Sequence, residues 1–191
     1  MTADAPALAF AAAASPSQAL AGLPLSDGTV GYLAGEWDVA REIADHRTGQ
    51  AGSFRGRASF RPATGPAPGP ASAASPAGQP ELDGRVLEFT EHGELRFAGH
   101  RGPASRALLY YGKSDGSADV RFADGREFFR LDLSYGSSQA AHPCHADRYV
   151  VTVTRLSADA FSEVWRVTGP AKDYDMTTVY TRAGCELSDA G

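Results

Sequence analysis

The sequence predicts one all-β domain, a single antiparallel up-and-down β-barrel with a short helix ahead of its first strand. Three observations carry this expectation. Ten short runs, from "GEWDVAREIAD" to "DMTTVYTR", alternate apolar and polar residues or concentrate β-branched and aromatic ones. The breaks between most of them are short and built from turn residues. No long segment keeps the 3.6-residue period of an amphipathic helix. Antiparallel neighbours in chain order close most simply into a barrel, which removes exposed edges. A β-sandwich is the alternative. The chain's 191 residues, 42% of them hydrophobic, suit one domain with a real core and some length left over.

The elements follow in order. Residues 1–24, "MTADAPALAFAAAASPSQALAGLP", are Ala-rich and read as a flexible tail. They mimic a signal peptide but carry Asp4, and no Lys or Arg, where a positive n-region belongs. The barrel domain is expected over 25–184. "DGTVGYLAG" is the helix candidate. In "GEWDVAREIAD", Trp37, Val39, Arg41 and Ile43 share one face. "SFRGRASF" repeats the pattern with Phe54, Gly56, Ala58 and Phe60. Residues 62–80 hold 17 Pro, Ala, Gly or Ser among 19 and no charge, too little apolar surface to order themselves. They read as a disordered insertion in a loop, with a Pro-rich recognition segment as the alternative.

Beyond the insertion come "RVLEFTE", "ELRFAG", "RALLYYG", "ADVRFA", "REFFRLDLSY", "RYVVTVTRL", "FSEVWRVTG" and "DMTTVYTR". The breakers "EHGE", "GKSDGS", "ADGR" and "GPAKDY" separate several of them, and the Asp-Gly of "ADGR" suits a tight hairpin turn. Residues 185–191 read as a second flexible tail.

Composition narrows the function classes. A net charge of −5 argues against nucleic acid or an anionic membrane surface as a chain-wide partner. No apolar run reaches the length of a membrane-spanning helix. Two distant cysteines, Cys144 and Cys185, make no disulfide framework and fit a reducing cytoplasm.

"LAGEWDV" resembles the Gly-x-Trp opening of lipocalin-like (calycin-type) barrels. That resemblance implies a short helix closing one end of the barrel and a Trp heading the first strand. It also implies an Arg from the last strand stacked on that Trp, here Arg182 over Trp37 in a cation–π contact. More specifically, "LAGEWDVAREI", "FADGREFFRLDL", "HPCHADRY" and "GPAKDY…TTVYTR" resemble a small bacterial family, the domain of unknown function 6314. The likeness spans about Leu33 to Arg182 without the insertion, and it implies a fold rather than an activity. The haem-binding nitrobindins are also Gly-x-Trp barrels and hold iron through a histidine near the C-terminal strands. Here the last histidine is His145, so no such haem site is expected, although a Tyr or Cys ligand is chemically open. No cofactor is expected.

The densest polar cluster is "HPCHADRY". Read as one strand entry, alternation puts His142 and Cys144 on one side and His145, Asp147 and Tyr149 on the other, with Pro143 opposing regular pairing. A tetrahedral metal site would need both sides and a second Cys/His pair, and none follows, so no metal is expected. Cys144 reads as a small packed residue rather than a nucleophile, because no Gly-rich oxyanion turn follows it. Asp147 and Tyr149 lead into Val151 and Val153 and read as inward-facing at a cavity mouth. An inward Arg41 either pairs with a carboxylate, Asp147 being the candidate, or binds an anionic ligand group. Lys172 stands in the turn before the last strand and Trp165 on a strand face with Glu163 and Val167. Arg130 and Asp132 read as a pair outside the core face.

The expected function is binding of a small, partly apolar and anionic ligand inside the barrel, by Arg41, His142, Asp147, Tyr149, Trp165 and Lys172. One alternative is an enzyme using His, Asp and Tyr as acid–base groups without a cofactor. The other is a packed barrel serving as an interaction domain. The fold by itself selects none of the three, and the oligomeric state stays open.

Overall fold

The computed structural model describes residues 25–64 and 82–184. The expected tails, and the expected insertion from residue 65 on, lie outside the described residues, as does Cys185. Helix α1 (Gly28–Leu33) is followed by β1 (Gly35–Asp45), β2 (Gln50–Pro62), β3 (Leu82–Phe97), β4 (His100–Lys113) and β5 (Ala118–Phe122). Then come β6 (Glu127–Leu131), β7 (Ser137–Cys144), β8 (Asp147–Arg155), β9 (Ala160–Thr168) and β10 (Asp173–Arg182). All pairings are antiparallel within one sheet of order β6-β5-β4-β3-β2-β1-β10-β9-β8-β7. The sheet's two ends, β6 and β7, are consecutive in the chain. The sheet therefore curls into a nearly closed barrel, as the alternation predicts.

The strand boundaries correct the sequence reading in two places. "RVLEFTE" and "ELRFAG" are one strand: β3 runs straight through "EHGE". Its Gly93 is no turn residue. Gly93 faces Gly56 across the β2–β3 ladder, and a Cβ on either would collide with the other strand's backbone. The ring of Phe54 fills the gap the two glycines leave. The second correction is β7, which the sequence did not reveal as a strand. Pro143 is tolerated there because β7 ends the sheet and lacks a ladder on its other side. On β6, pairing stops at Leu131, since the Asp132 carboxylate turns the chain by accepting from the Ser134 N–H at 3.0 Å.

One end of the barrel is plugged. Trp37 is fully buried, donates Nε1 to the Leu33 carbonyl at 2.8 Å and meets Phe161 edge-on at 4.9 Å. The Arg182 guanidinium lies 4.3 Å from the Trp37 ring centroid, the contact the Gly-x-Trp resemblance implies. It also donates to the carbonyls of Tyr32 and Ala34, satisfying the C-terminal end of α1. The apolar core of Val30, Leu33, Phe60, Phe89, Tyr110, Phe161 and Tyr180 fills this half. The other end is where β1, β3, β7 finish and β4, β8, β10 begin.

Candidate functional site

Among the described residues, two adjoining cavities toward the unplugged end share part of their lining. The inner one, about 270 Å³, is lined by Arg41, Ile43, Phe54, Glu91, Leu95, Ala104, Ser105, Arg106, Glu163 and Met176. The outer one, about 330 Å³, is lined by Lys172, Tyr174 and Phe97 among others, and shares Ile43, Leu95 and Met176 with the inner. These shared apolar residues join a polar floor to a polar rim.

The floor is a buried ion network. Arg41 gives Nη1 and Nη2 to the two Glu91 oxygens at 3.0 and 2.7 Å, and Nε to Thr178 Oγ1 at 2.8 Å. Glu91 is 3% exposed, so this is a fork-to-carboxylate pair out of water. Arg106 is held less tightly, with Nη2 3.4 Å from Glu163, 3.7 Å from Glu91 and 3.1 Å from the Tyr180 hydroxyl. Its Nε is buried without a hydrogen-bond partner among the described residues. Trp165 Nε1 donates to Glu163 at 2.7 Å, orienting that carboxylate. Burial works against both guanidinium cations, yet both pKa values lie above the ordinary arginine value. Tyr180 and Glu91 raise that of Arg41, and Glu163, Tyr180 and Glu91 that of Arg106. Burial, and then the charge of Glu163, keep the Tyr180 hydroxyl protonated well above the ordinary tyrosine range.

The rim is a second cluster. Lys172 Nζ donates to Asp147 Oδ2 at 2.7 Å and to the Tyr149 hydroxyl at 2.6 Å. The Asp147 bond first, and the Tyr149 bond second, raise the Lys172 pKa. Gly169 makes room for this arrangement, because a Cβ there would collide with the Asp147 carboxylate.

The register reunites what alternation divided. The chain reverses at His145 and Ala146, with His145 at φ 56, so His142 faces Tyr149 and Cys144 faces Asp147 across the β7–β8 hairpin. Facing residues share a side of the sheet. His142, Cys144, Asp147 and Tyr149 therefore lie on the inner side, while His145 is exposed in the turn. His142 packs edge-on against Phe128 at 5.2 Å, and Phe128 stacks on Trp165 at 5.3 Å.

Of the expected residues, Arg41 lies in the floor, and Asp147, Tyr149 and Lys172 meet at the rim. His142 joins the rim through aromatic contacts, and Trp165 is a buried support 3% exposed. Two expected pairs do not form. The partner of Arg41 is Glu91 rather than Asp147, because Thr178 and Glu91 lie at the level of Arg41 whereas Asp147 starts β8 at the rim. Arg130 reaches Asp115 and Ser117, not Asp132. Sequence reasoning missed Glu91 and Arg106. Each continues an apolar alternating face, Leu87–Phe89–Glu91 and Arg106–Leu108–Tyr110, and that break in the pattern was the available signal. Among the described residues no group of three or more His, Cys, Asp or Glu could hold a metal ion, and no helix is long and apolar enough to cross a membrane.

Comparison with curated proteins finds no match. Among solved structures, the S-type phycobiliprotein lyase CPES from Guillardia theta is similar, with a TM-score of 0.55 and 8% identity over 82% of this chain and 92% of that one. A redesigned β-barrel, mFAP0, bound to DFHBI aligns at a TM-score of 0.38 and 14% identity, over 79% of this chain and 99% of that one. At 8% identity, the likeness to the lyase shows a shared fold and nothing further. A family model, by contrast, covers residues 33–182, from the strand-opening Gly-x-Trp segment through the Arg that stacks on it. This chain belongs to the Family of unknown function (DUF6314).

Proposed function

We propose that the protein binds one small, partly apolar molecule inside the barrel. The observation that carries this reading is the inner cavity of about 270 Å³, apolar at Ile43, Phe54, Leu95, Ala104 and Met176, with its charged groups gathered at its floor. Small-ligand sites combine an apolar lining with a few placed polar groups in this way. The ligand enters past the rim formed by His142, Asp147, Tyr149 and Lys172, with Trp165 holding the inner wall in place. The charged floor is held by its own pairs, so it persists as a preformed surface and adds no ordering cost on binding. A barrel filled entirely by side chains would leave no such space.

Native mass spectrometry of the purified protein, before and after addition of 2-ethylnaphthalene, tests the reading. A 1:1 adduct is expected. Met176 lines both cavities, so Met176→Trp fills the shared passage and is expected to abolish the adduct while near-UV circular dichroism stays native-like. An adduct that survives Met176→Trp unchanged, or failure of this hydrocarbon and of its 2-acetyl and 2-carboxylate counterparts alike to form one, sinks the reading.

A further inference from the structure

We propose that the ligand's polar head is a neutral hydrogen-bond acceptor of the carbonyl class, received by Arg106 at the cavity floor. This rests on the inner cavity being the ligand site. Four charged side chains meet at the floor, Arg41 and Arg106 against Glu91 and Glu163, and their formal charges cancel. Arg41 is firmly engaged: both terminal nitrogens lie on Glu91 and its Nε on Thr178. Arg106 lines the same cavity with longer pairings, and its buried Nε has no partner among the described residues. The floor thus has no net charge, but its second guanidinium bonds its partners through Nη2 alone.

That combination discriminates between ligand heads. A carboxylate at this depth would be a third anion against two cations, competing with Glu163 and Glu91 for one guanidinium. An uncompensated buried charge is strongly disfavoured. A carbonyl oxygen accepts a hydrogen bond from this loosely paired guanidinium, whose side chain is 29% exposed against 12% for Arg41, and it adds no charge. The head therefore differs from the anion that an inward Arg41 suggested in the sequence, because Arg41 has its own carboxylate. The apolar walls at Ile43, Leu95, Ala104 and Met176 suit a hydrocarbon or aromatic body behind the carbonyl.

Three probes with one body test the head group: 2-acetylnaphthalene, 2-naphthoate and 2-ethylnaphthalene, titrated into the full chain at pH 7. The ketone is expected to bind roughly tenfold or more tightly than the other two, the worth of one hydrogen bond to a charged donor. In Arg106→Met the ketone should lose its advantage and bind no more tightly than the hydrocarbon does to the same variant. Naphthoate binding as tightly as the ketone or more so overturns the inference. Ketone and hydrocarbon binding equally to the wild-type chain overturns it while leaving the cavity reading intact. Failure of all three to bind overturns both. The wild-type ranking decides the matter even where Arg106→Met does not fold.

Discussion

Arg41 is a charge carried into a barrel interior by strict alternation on β1, and Glu91 on β3 is what makes it tolerable. Its side chain is 12% exposed and that of Glu91 only 3%, so neither is solvated enough to stand alone. Breaking a buried pair from one side costs more than removing it altogether. Glu91→Ala is therefore expected to destabilise the fold by about 3–5 kcal/mol. Replacing both, Arg41→Met with Glu91→Leu, is expected to recover most of that. Urea unfolding midpoints check both. A Glu91→Ala loss no larger than that of an exposed pair such as Arg55–Glu42, about 0–1 kcal/mol, would show that the pair does not hold the floor together. At this scale the sequence was half legible. Period two places Trp37, Val39 and Arg41 on one inward face, because side-chain direction along a strand is a local property. Partner choice is not local. Glu91 lies fifty residues from Arg41, beyond the low-complexity segment, and nothing in either stretch names the other.

Elements were legible where turns are chemically marked and illegible where glycine plays another part. Gly93 in "EHGE" looks like a breaker, but it permits close approach to Gly56 under the Phe54 ring. The turn that does follow, Ala98-Gly99 between β3 and β4, lacks the usual polar markers. Both of its residues have positive φ, 52° and 78°, the type I′ geometry that two-residue hairpins favour. An alanine there is strained by its Cβ, whereas asparagine adopts that region readily. Ala98→Asn is expected to raise stability by about 0.5–1 kcal/mol, read as a higher urea midpoint with an unchanged slope. A lower midpoint would mean that the β3–β4 hairpin does not have this turn. The β7–β8 hairpin taught the opposite lesson about the candidate site. Alternation was carried across His145-Ala146 as though the chain ran straight, and the reversal there inverted the side assigned to His142 and Cys144.

At the scale of the whole molecule, the barrel is sealed at one end by α1, Trp37 and Arg182, and polar groups are stacked in two layers toward the other. Much of that architecture depends on tyrosines kept neutral. Burial raises the pKa of Tyr32 from 10.0 to about 12. Burial also moves Tyr110, Tyr174 and Tyr180 upward, with the charge of Glu163 adding to it for Tyr110 and Tyr180. A raised pKa means that the folded chain holds the proton more tightly than the unfolded chain does. The stabilisation is complete below the unfolded value near 10 and is lost as pH climbs through the folded values. For Tyr32 the window is 10 to about 12, and the buried pair Tyr110 and Tyr180 extends it upward. One pKa unit corresponds to about 1.4 kcal/mol. Discounted for its partial exposure, Tyr32 alone should account for about 1–2 kcal/mol across that window. Urea unfolding at stepped pH above 10 should show the midpoint falling, with phenolate absorbance of the buried tyrosines appearing together with loss of structure. Tyr32→Phe should flatten the fall between pH 10 and 12, because phenylalanine has no proton to lose in either state. If Tyr32→Phe leaves the pH profile unchanged, the Tyr32 hydroxyl ionises as freely in the folded barrel as in the unfolded chain, and its hydrogen bonds to the 157 and 160 carbonyls do not hold its proton.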